Sequence, residues 1–345
     1  EYNKFDDKIG FVNKKNLFLN TNQNIFAYER KCMNLKSLYE KWSKWEISTL
    51  KMLMILNIYS NRSYNDINQY HVFPWIITEY NNSEKFPNFE DEKFIRPMGK
   101  PMGMMDLNEE SKERKQNYEE HWQSNEADED RDDNYDRYGS HYSTCLYLTY
   151  YLVRVFPYSY IRIELQGKNF DDPNRLFNSL PNSFEYALTQ KADLRELIPE
   201  LFCFPEMFLN MNELNLGEIN VEQGSPKEVE GVDMPVWSNY NVYNFVEKHR
   251  ALLESAEINE KINEWFNIIF GSKQKGKEAK KIGNLFIKQT YEDFEETYNK
   301  SSKSDRVYQC RMVEFGVTPH QIFKYDAYKR QNLNDCGKIK RSLLF

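Results

Sequence analysis

The stretch DLRELIPELFCFPEMFLNMN, Asp193–Asn212, decides how this chain folds. It opens as a helix that Asp193 can cap. It then meets Pro199 and Pro205, each of which removes a backbone donor and blocks the preceding turn. Apolar residues continue through both interruptions, so the segment belongs in a core that no long helix can supply. The same pattern recurs upstream. QYHVFPWIITEY (Gln69–Tyr80) reads as extended around Pro74, and FPNFEDEKFIRPMGKPMGMM (Phe86–Met105) is denied regular structure by its prolines and glycines. A core built partly from irregular backbone must still pair each buried amide and carbonyl. Arg62, Asn65, Asp66, Asn68 and Gln69, interleaved with these ribbons, carry side chains suited to that task.

Helical signals surround these ribbons. Ser48 caps a helix with Leu50, Leu53, Met54 and Asn57 at three-and-four spacing, and the chain breaks near Asn61–Asp66. Thr144–Val153 reads as a short buried helix, and Tyr160–Gly167 as a strand with Ile161, Ile163 and Leu165 on one face. The clearest helix is Ile258–Phe270, where Ile258, Ile262, Trp265, Phe266, Ile269 and Phe270 share a face and Gly271 stands at a left-handed C-terminal cap. Another follows from Lys277 to about Gln289 with Ile282, Leu285 and Phe286 inward. Residues 1–35 alternate weakly, as one or two strands or an extended lead-in. The expectation is a mainly α chain: one large domain over residues 36–325, helices around irregular extended segments, and a basic tail over 326–345.

Composition narrows the function classes. Aromatics make up 15% of the 345 residues, so the chain can bury a core despite 36 asparagines. The five cysteines are odd in number and form no CxxC pair, which argues against a disulfide scaffold or a zinc ribbon and for a reducing compartment. The longest apolar stretch, Cys145–Val153, is too short to span a bilayer. The net charge of −7 is local: Glu119–Asp136 holds nine carboxylates against Arg131, and the remainder is close to neutral. That acidic segment lacks apolar periodicity and reads as an exposed insertion. Asp128, Asp130 and Asp132 match the start of a calcium loop, but Asp133 and Gly139 occupy the positions that need Gly and Glu.

Catalytic patterns are missing. Neither a P-loop nor a dinucleotide fingerprint occurs among the 13 glycines, so phosphate has no glycine-rich cradle. GSHYS (Gly139–Ser143) lacks the second glycine of a hydrolase elbow, and side chains of adjacent Ser140 and His141 diverge. The five histidines lie at least 20 residues apart, without metal-ligand spacing. Glu196, Glu200 and Glu206 suit caps and ion pairs as well as acid–base work. No cofactor, metal or catalytic residue is expected, and neither basic patch carries a nucleic-acid motif.

Several stretches together resemble a BEACH domain, the module named for Beige and Chediak-Higashi proteins. The likeness runs from about Trp42 to Phe323. It rests on WEIS (Trp45–Ser48), NRSYNDINQYHVFPW (Asn61–Trp75), KPMG (Lys100–Gly103), YGSHYS (Tyr138–Ser143), LQGKNFDDPNRLF (Leu165–Phe177) and Asp193–Asn212. HRALLES (His249–Ser255), WFNIIFGSKQKG (Trp265–Gly276) and FGVTPHQIF (Phe315–Phe323) extend it. The chain departs at Asn61, where the family commonly has Gly, at His71 for Pro, and at Asn267 for Asp.

The resemblance implies helices around irregular extended segments, and a non-catalytic scaffold in vesicle trafficking, lysosome-related membrane dynamics or autophagy. It also implies a cytoplasmic location and, in a longer chain, a preceding PH-like domain and a following WD-repeat propeller as partners. Residues 1–35 would then be the end of the PH-like domain or its linker. A groove lined by Arg62, Asn65, Asp66, Arg175 and Trp237 is the expected seat for a peptide or the neighbouring domain; internal wiring of irregular backbone is the bland alternative for each. Lys273, Lys275, Lys277, Lys280 and Lys281 are the expected contact with an anionic membrane, against a simple solvated connection. The competing functions are a cytoskeletal or ciliary structural part, and a hydrolase or lipid-modifying enzyme assembled from distant His141, Glu196 or Glu206.

Overall fold

A computed structural model describes residues 35–80, 92–124, 138, 140–170, 172–219, 225–287, 290–291 and 315–331. The lead-in, residues 332–345 and most of the acidic insertion lie outside the described residues. The chain is mainly helical: α1 Leu35–Ser43, α2 Thr49–Tyr59, α3 Glu109–Ser124, α4 Cys145–Tyr151, α5 Tyr158–Leu165 and α6 Leu180–Thr189 come first. α7 Val242–Leu253, α8 Ala256–Asn259, α9 Ile262–Ile269 and α10 Gly276–Ile282 follow. Among the described residues the one sheet is a two-residue antiparallel pair, β1 Glu218–Ile219 with β2 Lys227–Glu228.

Local capping positions the helices. Ser48 accepts from the Lys51 amide at the start of α2, and Thr144 accepts from Tyr147 at the start of α4. The first turn of α2 also receives a distant cap, because Glu254, past the end of α7, accepts from the Thr49 amide at 2.6 Å and the Leu50 amide at 2.9 Å. That carboxylate satisfies donors that a helix start otherwise leaves orphaned and lies at the positive end of its dipole. Asn61, just beyond α2, has φ of 65°. Asparagine tolerates the left-handed region, which explains how it replaces the usual Gly.

The core lies on the broken ribbons. Phe73, Trp75, Ile76 and Ile77 are fully buried, yet they make only isolated bridges, Phe73 with Leu197 and Ile77 with Ile95. The Asn57 side chain, buried in α2, extends one ribbon's pairing: it accepts from the Val72 amide at 2.8 Å and donates to the Val72 carbonyl at 2.9 Å. The proline-containing segment becomes two 3-10 turns, Pro199–Phe202 and Pro205–Phe208, packed against α7. Asp193 caps no helix; its carboxylate instead pairs with Arg195.

Several sequence expectations are corrected. Tyr160–Gly167 is mostly helix, the body of α5. Its buried positions are Ser159 and Arg162, one helical turn apart, whereas Ile161 and Ile163 are only half-buried, so the two-residue apolar alternation misled. The long helix at Ile258–Phe270 divides into α8 and α9, because the Asn259 amide donates to the Leu253 and Ser255 carbonyls and the chain turns at Glu260–Lys261. All six of its expected inward residues are nonetheless buried. Gly271 is not left-handed; a Cβ there would lie 2.9 Å from the Asn267 Cα. The left-handed cap is Gly283, which ends α10 well before Gln289 and leaves Leu285 and Phe286 buried beyond the helix. The start of the acidic insertion is also helical, since α3 packs on the polar stripe Ser111, Arg114 and Tyr118.

Candidate functional site

Five buried arginines hold the irregular backbone together. Arg96 forks onto Glu196, with Nη1–Oε2 at 2.6 Å and Nη2–Oε1 at 2.7 Å, and the same carboxylate accepts from the Trp75 amide and the Trp265 indole, both at 3.1 Å. Arg62 donates to the carbonyls of Tyr70 and Val317 and to the Ser143 hydroxyl. Arg114 gathers the carbonyls of Met102, Ala187 and Asp193, and Arg154 those of Phe177, Glu230 and Gly231. Arg330 bonds the Trp42 and Ile47 carbonyls at 2.9 Å, and the Thr49 hydroxyl and Asn259 amide oxygen at 2.6 Å. A planar fork with five donors satisfies divergent carbonyls that no ladder reaches.

This assigns positions to the sequence-predicted groove residues. Arg62 and Trp237 are buried, and Arg62 is spent on backbone and Ser143. Asp66 organises its own turn by accepting from the Asn68 and Gln69 amides, and Asn65 is exposed beside it. Arg175 alone of the five lines the concave site described below. Among the lysines, Lys277 and Lys281 are exposed on α10, Lys281 pairs with Glu278 at 2.5 Å, and Lys273, Lys275 and Lys280 are half-buried.

The proposed catalytic groups have separate structural partners. His141 Nε2 lies 2.6 Å from the Thr290 hydroxyl and its ring stacks on Phe286 at 3.8 Å. Glu196 is held by Arg96, and Glu206 is half-buried in the second 3-10 turn. Ser140 donates to the Ala192 carbonyl. No group of three His, Cys, Asp or Glu among the described residues could hold a metal ion.

The buried imidazoles carry a pH prediction. Burial lowers His249 to about 3 and His71 to about 4, the latter against a hydrogen bond with the Arg62 backbone, and burial with Arg62 drives His141 well below the ordinary range. The unfolded chain binds these protons near pH 6.5 while the folded chain refuses them. Their stabilisation is therefore complete above about 6.5 and lost as pH falls from there toward 3, at about 2 kcal/mol per imidazole by pH 5. Glu200, raised by burial, acts in the opposite sense, favouring the folded state at low pH. The urea midpoint should fall between pH 7 and pH 5, and His249→Gln should make that fall shallower; equal midpoints would refute the assignment.

A groove of about 550 Å³ opens between α4, α5, the 3-10 turn Pro173–Arg175 and α6. Tyr147 and Tyr150 line it from α4, Arg162 from α5 and Tyr186 from α6. Asp172 caps the turn that presents Asn174 and Arg175, accepting from the Asn174 amide at 3.0 Å. Arg195 stands 4.1 Å over the Tyr150 ring and 5.2 Å over Tyr147, with its Nε 2.8 Å from Asp193 Oδ1. Burial alone would lower its pKa, but Asp193 and Tyr150 keep it well above the ordinary value, so the cation persists. Arg162, Arg175 and Arg195 line the groove with one carboxylate, Asp193, and a second, Asp172, lies beside Arg175. Of the groove's arginines, sequence reasoning singled out only Arg175 as a site residue.

The profile of the Beige/BEACH domain matches residues 40–330. The chain belongs to the BEACH-domain family. It is 37% identical over 301 residues to Protein SPIRRIG of Arabidopsis thaliana, covering 86% of this chain and 8% of that protein. BEACH domain-containing protein lvsD of Dictyostelium discoideum is 33% identical over 95% of this chain and 10% of its own length. Beige protein homolog 1 of Saccharomyces cerevisiae is 33% identical over 87% of this chain and 13% of its own. The BEACH chain therefore spans about a tenth of the length of these curated relatives. No helix among the described residues is long and apolar enough to cross a membrane.

Proposed function

We propose that this BEACH domain is a non-catalytic interaction module within a large scaffold protein that acts in vesicle trafficking and lysosome-related membrane dynamics. The observation that carries the reading is the use made of the interior's ionisable side chains: Arg62, Arg96, Glu196, Glu254 and Arg330 bind backbone and one another, while cationic groups line a concave surface. Groups engaged in structural hydrogen bonds are poorly placed to exchange protons with a substrate. Membership of a family whose curated relatives are far longer chains fits one module among several, with a PH-like domain and a WD-repeat propeller as proposed neighbours. The Lys273–Lys281 segment supplies a proposed peripheral contact with anionic lipid.

Tagged full-length protein, with and without residues 40–330, tests this. Loss of vesicle co-fractionation and of captured protein partners on deletion is the expected result. An unchanged partner set, or co-sedimentation with microtubules in place of vesicles, would refute it.

A further inference from the structure

We infer that the groove between α4, α5 and α6 receives an extended acidic peptide, with peptide carboxylates seated on Arg175 and Arg195. The inference rests on the interaction-module reading and names the chemistry of its partner.

Charge is the first argument. Three arginines, Arg162, Arg175 and Arg195, stand against two carboxylates, Asp193 in the lining and Asp172 beside Arg175, and a low-dielectric concavity focuses the positive potential that remains. The second is an unfilled donor. Asp193 engages Nε and Nη2 of Arg195, whereas Nη1 is buried and has no hydrogen-bond partner among the described residues. A buried charged donor left open is costly, and a carboxylate oxygen would complete the fork. The third is the wall. Tyr186 is exposed and offers an open aromatic face to peptide side chains, while Tyr147 and Tyr150 lie under the guanidinium and hold it in place. Asn174 and Gln190 place amide donors and acceptors beside them, suited to the backbone of an extended segment.

The geometry favours a peptide over a lipid surface. Headgroups meet cations that protrude, whereas the Arg195 side chain is only 11% exposed within a groove that a narrow chain can enter.

The 345-residue chain should be titrated, by fluorescence anisotropy, into the labelled hexapeptide Asp-Glu-Asp-Tyr-Glu-Asp and its amide counterpart Asn-Gln-Asn-Tyr-Gln-Asn. The acidic peptide should bind at least tenfold more tightly, and more weakly as salt rises. Arg175→Glu, at an exposed position, should lower that affinity at least tenfold with an unchanged thermal midpoint. Tyr186→Ser provides an independent wall variant that should also weaken binding. Equal affinity for the two peptides, or wild-type affinity in both variants, overturns the proposal. So does Arg175-dependent binding to phosphatidylserine vesicles without peptide binding. Failure here with partner capture still dependent on residues 40–330 removes the acidic-peptide assignment and leaves the module reading intact. Partner capture that survives their deletion defeats the module reading itself.

Discussion

Glu196→Gln is expected to destabilise the domain by about 3–5 kcal/mol, enough to lose most soluble folded protein at 37 °C. The carboxylate is buried with four donors converging on it: both Nη atoms of Arg96, the Trp75 amide and the Trp265 indole. An amide offers one acceptor oxygen and sets its NH₂ against donors, so Arg96, with no side-chain exposure, keeps an uncompensated charge. Removing both partners should cost less than the sum of the single changes, because Arg96→Met/Glu196→Leu leaves no buried charge. Chemical denaturation of the four proteins in a double-mutant cycle measures this. Additive losses would show that the pair is not the energetic unit described.

Arg330→Ala carries the second large effect, a loss of about 3 kcal/mol or more. Four bonds from one guanidinium tie Arg330 to the α1–α2 corner, through Trp42, Ile47 and Thr49, and to Asn259 of α8, and the group lies 3.6 Å over the Trp45 ring. Truncation removes the charged hydrogen bonds and the stacking together, leaving the Trp42 and Ile47 carbonyls without this donor. Arg330→Lys should rescue little, since one ammonium cannot span those divergent acceptors. Thermal midpoints of the two variants test the claim; a lysine variant as stable as the parent would refute it. Arg330 falls in the stretch whose sequence suggested a basic tail, yet it is buried.

Elements governed by neighbours a few residues away were legible. Ser48 caps the helix expected of it, the short helix expected from Thr144 forms with Thr144 as its cap, and the expected inward residues between Ile258 and Phe270 are all buried. The broken character of Asp193–Asn212 followed from two prolines. What sequence reading missed has a common cause. α5 and α3 bury polar stripes, Ser159 with Arg162 and Ser111 with Arg114, so hydrophobic periodicity carried no correct signal for either. Of the expected groove residues, Arg175 alone lines the concave site, while Arg62 and Trp237 are inside. A guanidinium in a sequence does not disclose whether a carbonyl elsewhere will claim it.

The amino-acid order by itself determined the family, the helical character and the breaks at Pro199 and Pro205. Caps, prolines and glycines act through the dihedrals and donors of their own few residues. Tertiary structure alone decided which charged groups became internal wiring and which faced a groove. The partners lie far apart along the chain, 100 residues between Arg96 and Glu196 and 281 between Arg330 and Thr49. Irregular backbone frees its carbonyls in directions set by packing, so a donor's role exists only once the chain has closed around it.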